Sequence, residues 1–143
     1  MSRTNKYCIT SEELIKAIKG EMEAKSFYER LITKTSDTES IKIIKGIIKD
    51  EETHQAEFRK LYKALFKMDP AVPPSGSEIP IESFFDGLST AIMDELSAYE
   101  FYRDIIMKCS ESKVVSMLFF KAMTDENEHA MLENFMMNKV NHR

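Results

Sequence analysis

Two Glu-x-x-His steps and two further glutamates are the side chains here whose types and spacing could do chemistry. The steps are Glu51–His54 in DEETH and Glu126–His129 in DENEH; the single glutamates are Glu21 in GEMEAKSFY and Glu95 in DELSAYEFY. On a helix, residues three apart share a face, so each step aims one imidazole and one carboxylate at a common point. The second half of the chain repeats the first. Glu21 to Glu95 is 74 residues, while Glu51 to Glu126 and His54 to His129 are each 75. Ala24 and Ala98, Phe27 and Phe101, and Tyr28 and Tyr102 are also 74 apart. Four carboxylates and two imidazoles form the donor set of a two-metal centre inside a four-helix bundle. Their four negative charges balance two divalent cations, which answers the cost of burying them together. Glu51 and Glu126 can bridge the two ions, and Glu21 and Glu95 can each terminate one. Without metal, mutual repulsion keeps some of these glutamates protonated. Oxygen plus imidazole donors without thiolate favour two iron ions, with Mn or Zn as substitutes.

Other residues belong to the same pattern. Asp50 and Asp125 directly precede the two motifs, and ligating imidazoles usually donate their second N–H to a carboxylate. The expected pairs cross the bundle, Asp50 to His129 and Asp125 to His54; the alternative is a pair of ordinary solvated aspartates. Tyr28 and Tyr102 each follow a site glutamate by seven residues, two helical turns along one face. They are either structural core residues or hydroxyls that hydrogen-bond to the site. A single Glu-x-x-His is a weak signal, because helices are rich in glutamate. Its repetition, with two more glutamates at the repeat spacing, is specific.

These side chains need four helices to carry them. Thr10 with Glu13 reads as a capping box, with Ile9 stapled to Leu14, and apolar residues at helical spacing follow. Ser36 with Glu39 reads as a second box. The expected helices cover about 10–35, 37–66, 81–109 and 112–140. Residues 68–80 hold all four prolines and form the crossover. Extended, this segment spans roughly 40 Å, close to the length of a helix of about 28 residues at about 1.5 Å each. Two antiparallel hairpins joined by one long crossover are therefore expected, with the second and third helices parallel. Glu21 and Glu51 lie 15 residues either side of position 36; Glu95 and Glu126 lie 16 and 15 from position 111. Equal distances from an antiparallel turn mean equal heights, so all four carboxylates should meet at one level. The fold class is all-α, in a single domain over 1–143.

The composition agrees with this. A chain of 143 residues that is 43% hydrophobic can bury one core, and few Gly and Pro leave little room for the turns of an all-β fold. A net charge of −4 points to no nucleic acid and no membrane as partner. No leader segment or apolar span is evident, so a cytoplasmic location is expected. Cys8 and Cys109 form no Cys-x-x-Cys pair and are expected as reduced thiols. Met117, Met123, Met131, Met136 and Met137 are expected to fill the core, and Lys42, Lys45 and Lys49 to form a solvated face. His142 is expected as a solvated end residue outside the pattern.

With its E-x-x-A-x-x-x-Y on the first helix, the same Glu-to-Tyr spacing on the third, and E-x-x-H on the second and fourth, the chain resembles the ferritin-like superfamily. Specifically, it resembles rubrerythrin-type di-iron domains, from about residue 10 to 140. The resemblance implies a ferritin-like four-helix bundle. It also implies a di-iron centre on Glu21, Glu51, His54, Glu95, Glu126 and His129, acting as a peroxidase-like oxidoreductase on peroxide or dioxygen. Typical rubrerythrins carry a rubredoxin domain, whose Cys-x-x-Cys pairs do not occur in these residues, so electrons are expected from a separate donor protein. They also carry a glutamate at the place of Ala98, which puts efficient peroxide reduction in question. The chain is also similar to bacterioferritin, which implies the alternative of a ferroxidase or iron-storage protein. The haem-binding Met of bacterioferritin is replaced here by Glu52, so no haem is expected. Di-iron bundles often self-associate, and a homo-oligomer, with a dimer favoured, is expected. A third reading is a metal-stapled scaffold that assembles with a partner.

Overall fold

The computed structural model describes residues 6–141, among which every regular element is helical. Helix α1 runs Ser11–Leu31, α2 Thr38–Phe66, α3 Phe84–Lys108 and α4 Lys113–Asn141. The Thr10 capping box is formed: the Glu13 N–H donates to Thr10 Oγ1 at 3.0 Å and the Thr10 N–H donates to Glu13 Oε1 at 2.9 Å. Ile9 is fully buried beside Leu14 in the same apolar cluster.

The other boundaries differ from expectation for local reasons. Helix α1 tightens into a 3-10 turn at Ile32–Lys34 rather than continuing to 35. Asp37, not Ser36, caps α2, because its carboxylate accepts from both the N–H and the Oγ of Ser40. Lys139 Nζ, from the end of α4, also reaches Asp37 at 2.8 Å. Helix α3 begins at Phe84 instead of Ile81, since Ser83 Oγ accepts from the Asp86 N–H and sets the first turn there. Ile81 stays outside the helix and packs on the second apolar cluster. Gly87 is needed at that junction, because a Cβ there would run into the buried Leu31 side chain and crowd Ile81.

Cross-bundle side-chain pairs fix the topology. Tyr102 meets Glu21 while Tyr28 meets Glu95, so α1 and α3 run antiparallel. His54 meets Asp125 while His129 meets Asp50, so α2 and α4 are antiparallel too. With α1–α2 and α3–α4 as hairpins, α2 and α3 must be parallel. Residues 67–83 make the crossover that this requires, leaving α2 through Lys67 in the left-handed conformation (φ 60°). The fold is an all-α four-helix bundle of two antiparallel hairpins.

Each helix buries a stripe at helical spacing, and the site residues sit within those stripes. In α2 the stripe is Ile44, Ile47, Glu51, His54, Phe58 and Leu61; in α3 it is Leu88, Ala91, Glu95, Tyr102 and Ile105. The apolar residues form two clusters. One surrounds Phe58 and Phe119, whose rings stack at 4.7 Å; the other surrounds Leu31, Ile44, Leu88 and Met136. A polar layer at mid-bundle divides them.

One expectation about sulfur fails and another holds only in part. Cys8 and Cys109 are joined as a disulfide, with Cα atoms 5.3 Å apart. The segment before α1 is thereby tied to the α3–α4 turn, an approach that sequence separation conceals. Of the α4 methionines, Met136 is fully buried and Met123 and Met137 pack against the two clusters as expected, whereas Met117 and Met131 face solvent together with Phe120 and Phe135. Lys42, Lys45 and Lys49 are exposed on α2 as expected, and His142 lies outside the described residues.

Candidate metal centre

Glu21, Glu51, His54, Glu95, Glu126 and His129 converge at mid-bundle, each at most 3% exposed. Two donor groups form there, Glu21–Glu51–His54–Glu126 and Glu51–Glu95–Glu126–His129, each with its ligating atoms within 4.8 Å of one another. Glu51 and Glu126 belong to both groups, which is the position of bridging carboxylates. Glu21 and Glu95 each belong to one.

The imidazoles point inward through Nδ1. His54 Nδ1 lies 3.4 Å from Glu21 and 3.2 Å from Glu126; His129 Nδ1 lies 3.1 Å from Glu51 and 3.6 Å from Glu95. Each Nε2 points outward to an aspartate. Asp125 Oδ2 is 2.7 Å from His54, and Asp50 Oδ2 is 2.8 Å from His129. These contacts fix each ring and raise the basicity of the nitrogen that faces the centre.

Although close, the inner atoms do not satisfy one another. Both oxygens of Glu51, one each of Glu21, Glu95 and Glu126, and both Nδ1 atoms are buried without a well-aligned hydrogen bond. Such orphans are costly in a folded core. They aim at shared points rather than at each other, as ligands do. The residues present therefore fit a pair of cations.

Electrostatics in the metal-free site agree. Burial, and then neighbouring Glu21, lift Glu51 well above the usual carboxylate range; burial and Glu95 do the same to Glu126. Burial acts against charge on Glu95 too, but the neighbouring Glu126 carboxyl and His129 imidazole hold it below its ordinary value. Burial opposes protonation of His129, yet Glu51 and Glu95 outweigh it and push the imidazole up to about 11. His54 is raised in the same way, chiefly by Glu21. Protons thus occupy the places that metal would take.

The tyrosines cap this layer above and below. Tyr102 donates its hydroxyl proton to Glu21, and the Tyr28 hydroxyl bridges Glu95 and Glu133. Burial raises both phenols well above their ordinary range, so they stay protonated. Glu133 is the residue that motif reading passes over. It is fully buried, and burial together with Glu95 pushes its carboxyl up to about 9. A phenol has only one proton to give, so between two carboxylates one must bring its own, and that one is Glu133. Its signal in the sequence is its place on the α4 stripe of Phe119, Ala122, Glu126, His129 and Met136. In the repeat its counterpart is Phe58, 75 residues earlier, which packs on Tyr102 at 5.5 Å.

Comparison with known proteins agrees with this geometry. The rubrerythrin family model matches residues 3–76. The chain belongs to the rubrerythrin family. It is 33% identical to the uncharacterized protein YhjR of Bacillus subtilis over 118 residues, covering 82% of this chain and 79% of that one. In structure it is similar to a hypothetical protein from Pyrococcus furiosus (TM-score 0.78, 23% identity), covering 91% of this chain and 89% of the other. It is also similar to YcfI, described as a putative structural protein, from Rhodopseudomonas palustris (TM-score 0.69, 12% identity, 94% and 97% covered). The fold is thus that of ferritin-like bundles, and the buried cluster is the metal-binding candidate this family leads one to seek. No helix among the described residues is long and apolar enough to cross a membrane.

Proposed function

We propose that this protein is a di-iron oxidoreductase that reduces peroxide or dioxygen, drawing electrons from a separate donor protein. The observation that carries this reading is the pair of buried four-donor groups sharing Glu51 and Glu126. When bound, a ferrous pair supplies the two electrons that, with two protons, split a peroxide O–O bond to two waters. The chain's own residues do the rest. Glu21 with His54 and Glu95 with His129 would each hold one cation, with Glu51 and Glu126 shared between the two donor groups. Asp125 and Asp50 fix the imidazoles so that Nδ1 faces inward. Tyr28, carrying one proton and touching a second held by Glu133, can pass a proton toward Glu95.

The test is anaerobic iron loading with a metal count, followed by rapid mixing of the reduced protein with peroxide or dioxygen. Two irons per chain, and oxidation faster with peroxide than with dioxygen, are expected. Slow oxidation by both would remove the redox role. Uptake of many irons per chain, with a cage on sizing, would favour the iron-storage reading. The exposed apolar residues of α3 and α4, including Met93, Met107, Met117 and Phe120, support self-association as a dimer, which the same sizing experiment reads.

A further inference from the structure

The two open flanks of the bundle differ. Between α2 and α4, the His–Asp pairs close the centre off. Between α1 and α3, a cavity of about 460 Å³ leads inward until it reaches Glu21, Glu51, Glu95 and Glu126, and it touches neither imidazole. Its walls at this level are small or aromatic: Gly20 and Ala24 from α1, Ala91 and Ala98 from α3, with Phe27 and Phe101 flanking. Gly20 is exposed, and a Cβ there would meet nothing within 4 Å, so that edge of the groove is open.

The crossover borders the groove on one side. Residues 75–79 line the mouth and are held to α1 by three contacts. Glu78 accepts from Ser26 Oγ at 3.2 Å and pairs with Arg30 at 3.5 Å, while Arg30 Nη1 donates to the Ile79 carbonyl at 2.9 Å.

Size and lining together limit what belongs there. A water occupies about 30 Å³, so hydrogen peroxide, only slightly larger, would leave most of the cavity empty. Pockets of roughly 300–1,000 Å³ with apolar walls and a few convergent polar groups are those that bind small organic molecules. Once the four inner glutamates balance two cations, the outer lining sets Glu23, Glu78 and Asp94 against Lys16 and Arg30, with no excess of positive charge to hold an anion. We propose that the α1–α3 groove is a substrate site for an uncharged organic hydroperoxide. Its apolar body lies against Ala24, Ala98 and Phe101, and its O–O head lies at Glu21 and Glu95. The substrate class rests on the redox reading above. The change is ROOH + 2 H⁺ + 2 e⁻ → ROH + H₂O: the O–O bond breaks, an alcohol and a water form, and the two electrons come from the reduced metal pair, restored by the donor protein.

The test separates binding from turnover. Cumyl alcohol, the unreactive product of cumene hydroperoxide, is titrated into metal-free protein by calorimetry. Saturable one-to-one binding is expected, weakened at least tenfold in Gly20→Leu and in Ala98→Leu. Leucine is a better helix former than glycine and comparable to alanine, so both variants should fold, with helicity checked by circular dichroism. In the iron-loaded parent, the rate ratio of cumene hydroperoxide to hydrogen peroxide should fall by a similar factor in both variants. No saturable binding, or equal binding by folded parent and variants, would overturn the groove even if the iron chemistry stands. Binding that the variants abolish, in a protein that iron-loads but is not oxidised, would keep the groove as a ligand site and discard the hydroperoxide.

Discussion

Glu133→Gln gives a sharp test of the electrostatics, because the carboxyl lies in the core yet is not among the six clustered donors. In the metal-free protein its value moves from an ordinary 4.5 to about 9, through burial and then the charge of Glu95. Between these values the folded chain holds a proton that the unfolded chain has lost, so folding grows less favourable as pH rises. Each unit corresponds to about 1.4 kcal/mol, so from 4.5 to pH 7 the native state loses about 3.5 kcal/mol through this group. Glutamine has nearly the same shape and keeps a donor for the Tyr28 oxygen, but it cannot ionise. Urea melts of metal-free parent and variant at pH 5, 6 and 7 make the comparison, with other titrating groups cancelling to first order. The two should be nearly equal at pH 5, and the variant should gain by about 1.4 kcal/mol per unit above that. A gap independent of pH, or a variant less stable at pH 7, would refute the reasoning.

Metal binding should release protons, because His54, His129, Glu51 and Glu126 are all raised in the metal-free site. Affinity for zinc or ferrous ion should therefore weaken as pH falls from 8 to 6, and calorimetry in two buffers of different ionisation heat should count two to four protons; a flat profile would contradict the site. Asp50→Ala should weaken binding of the cation at His129 by about 10- to 100-fold with little change in thermal midpoint, read by metal titration beside a melt. Reducing Cys8–Cys109, which closes a loop across 101 positions, should cost about 4–5 kcal/mol on a chain-entropy estimate, read as a lower urea midpoint; an unchanged midpoint would show that the bond constrains nothing.

The sequence made the bundle legible because helical spacing, proline placement and the internal repeat all point the same way. The equal-height argument succeeds because it needs only the turn centres, and those at Ser36 and Glu111 agree with a polar layer at mid-bundle. Boundaries were less legible. Asp37 and Ser36 are both good caps, and Asp37 prevails because its carboxylate reaches the N–H and hydroxyl of Ser40 and the amine of Lys139. The Cys8–Cys109 approach was invisible, since it depends on how the N-terminal segment lies on the finished bundle. The α4 methionines misled because composition does not say which face a residue takes, and Met117 and Met131 lie off the buried stripe.

The repeat also hid a difference between its halves. Matching residues at 74 or 75 finds what is shared, so it finds the six candidate ligands and both tyrosines and passes over the pair that does not match. Phe58 and Glu133 occupy equivalent places, one beneath Tyr102 and the other beneath Tyr28. The Glu21–His54 side therefore borders stacked aromatic rings, while the Glu95–His129 side borders a fifth carboxyl that carries a proton. Two cations held by the same ligand types would then sit in unequal surroundings, one bordered by aromatic rings and one beside a proton donor. A duplicated sequence had only to change one buried side chain to make its two halves chemically distinct.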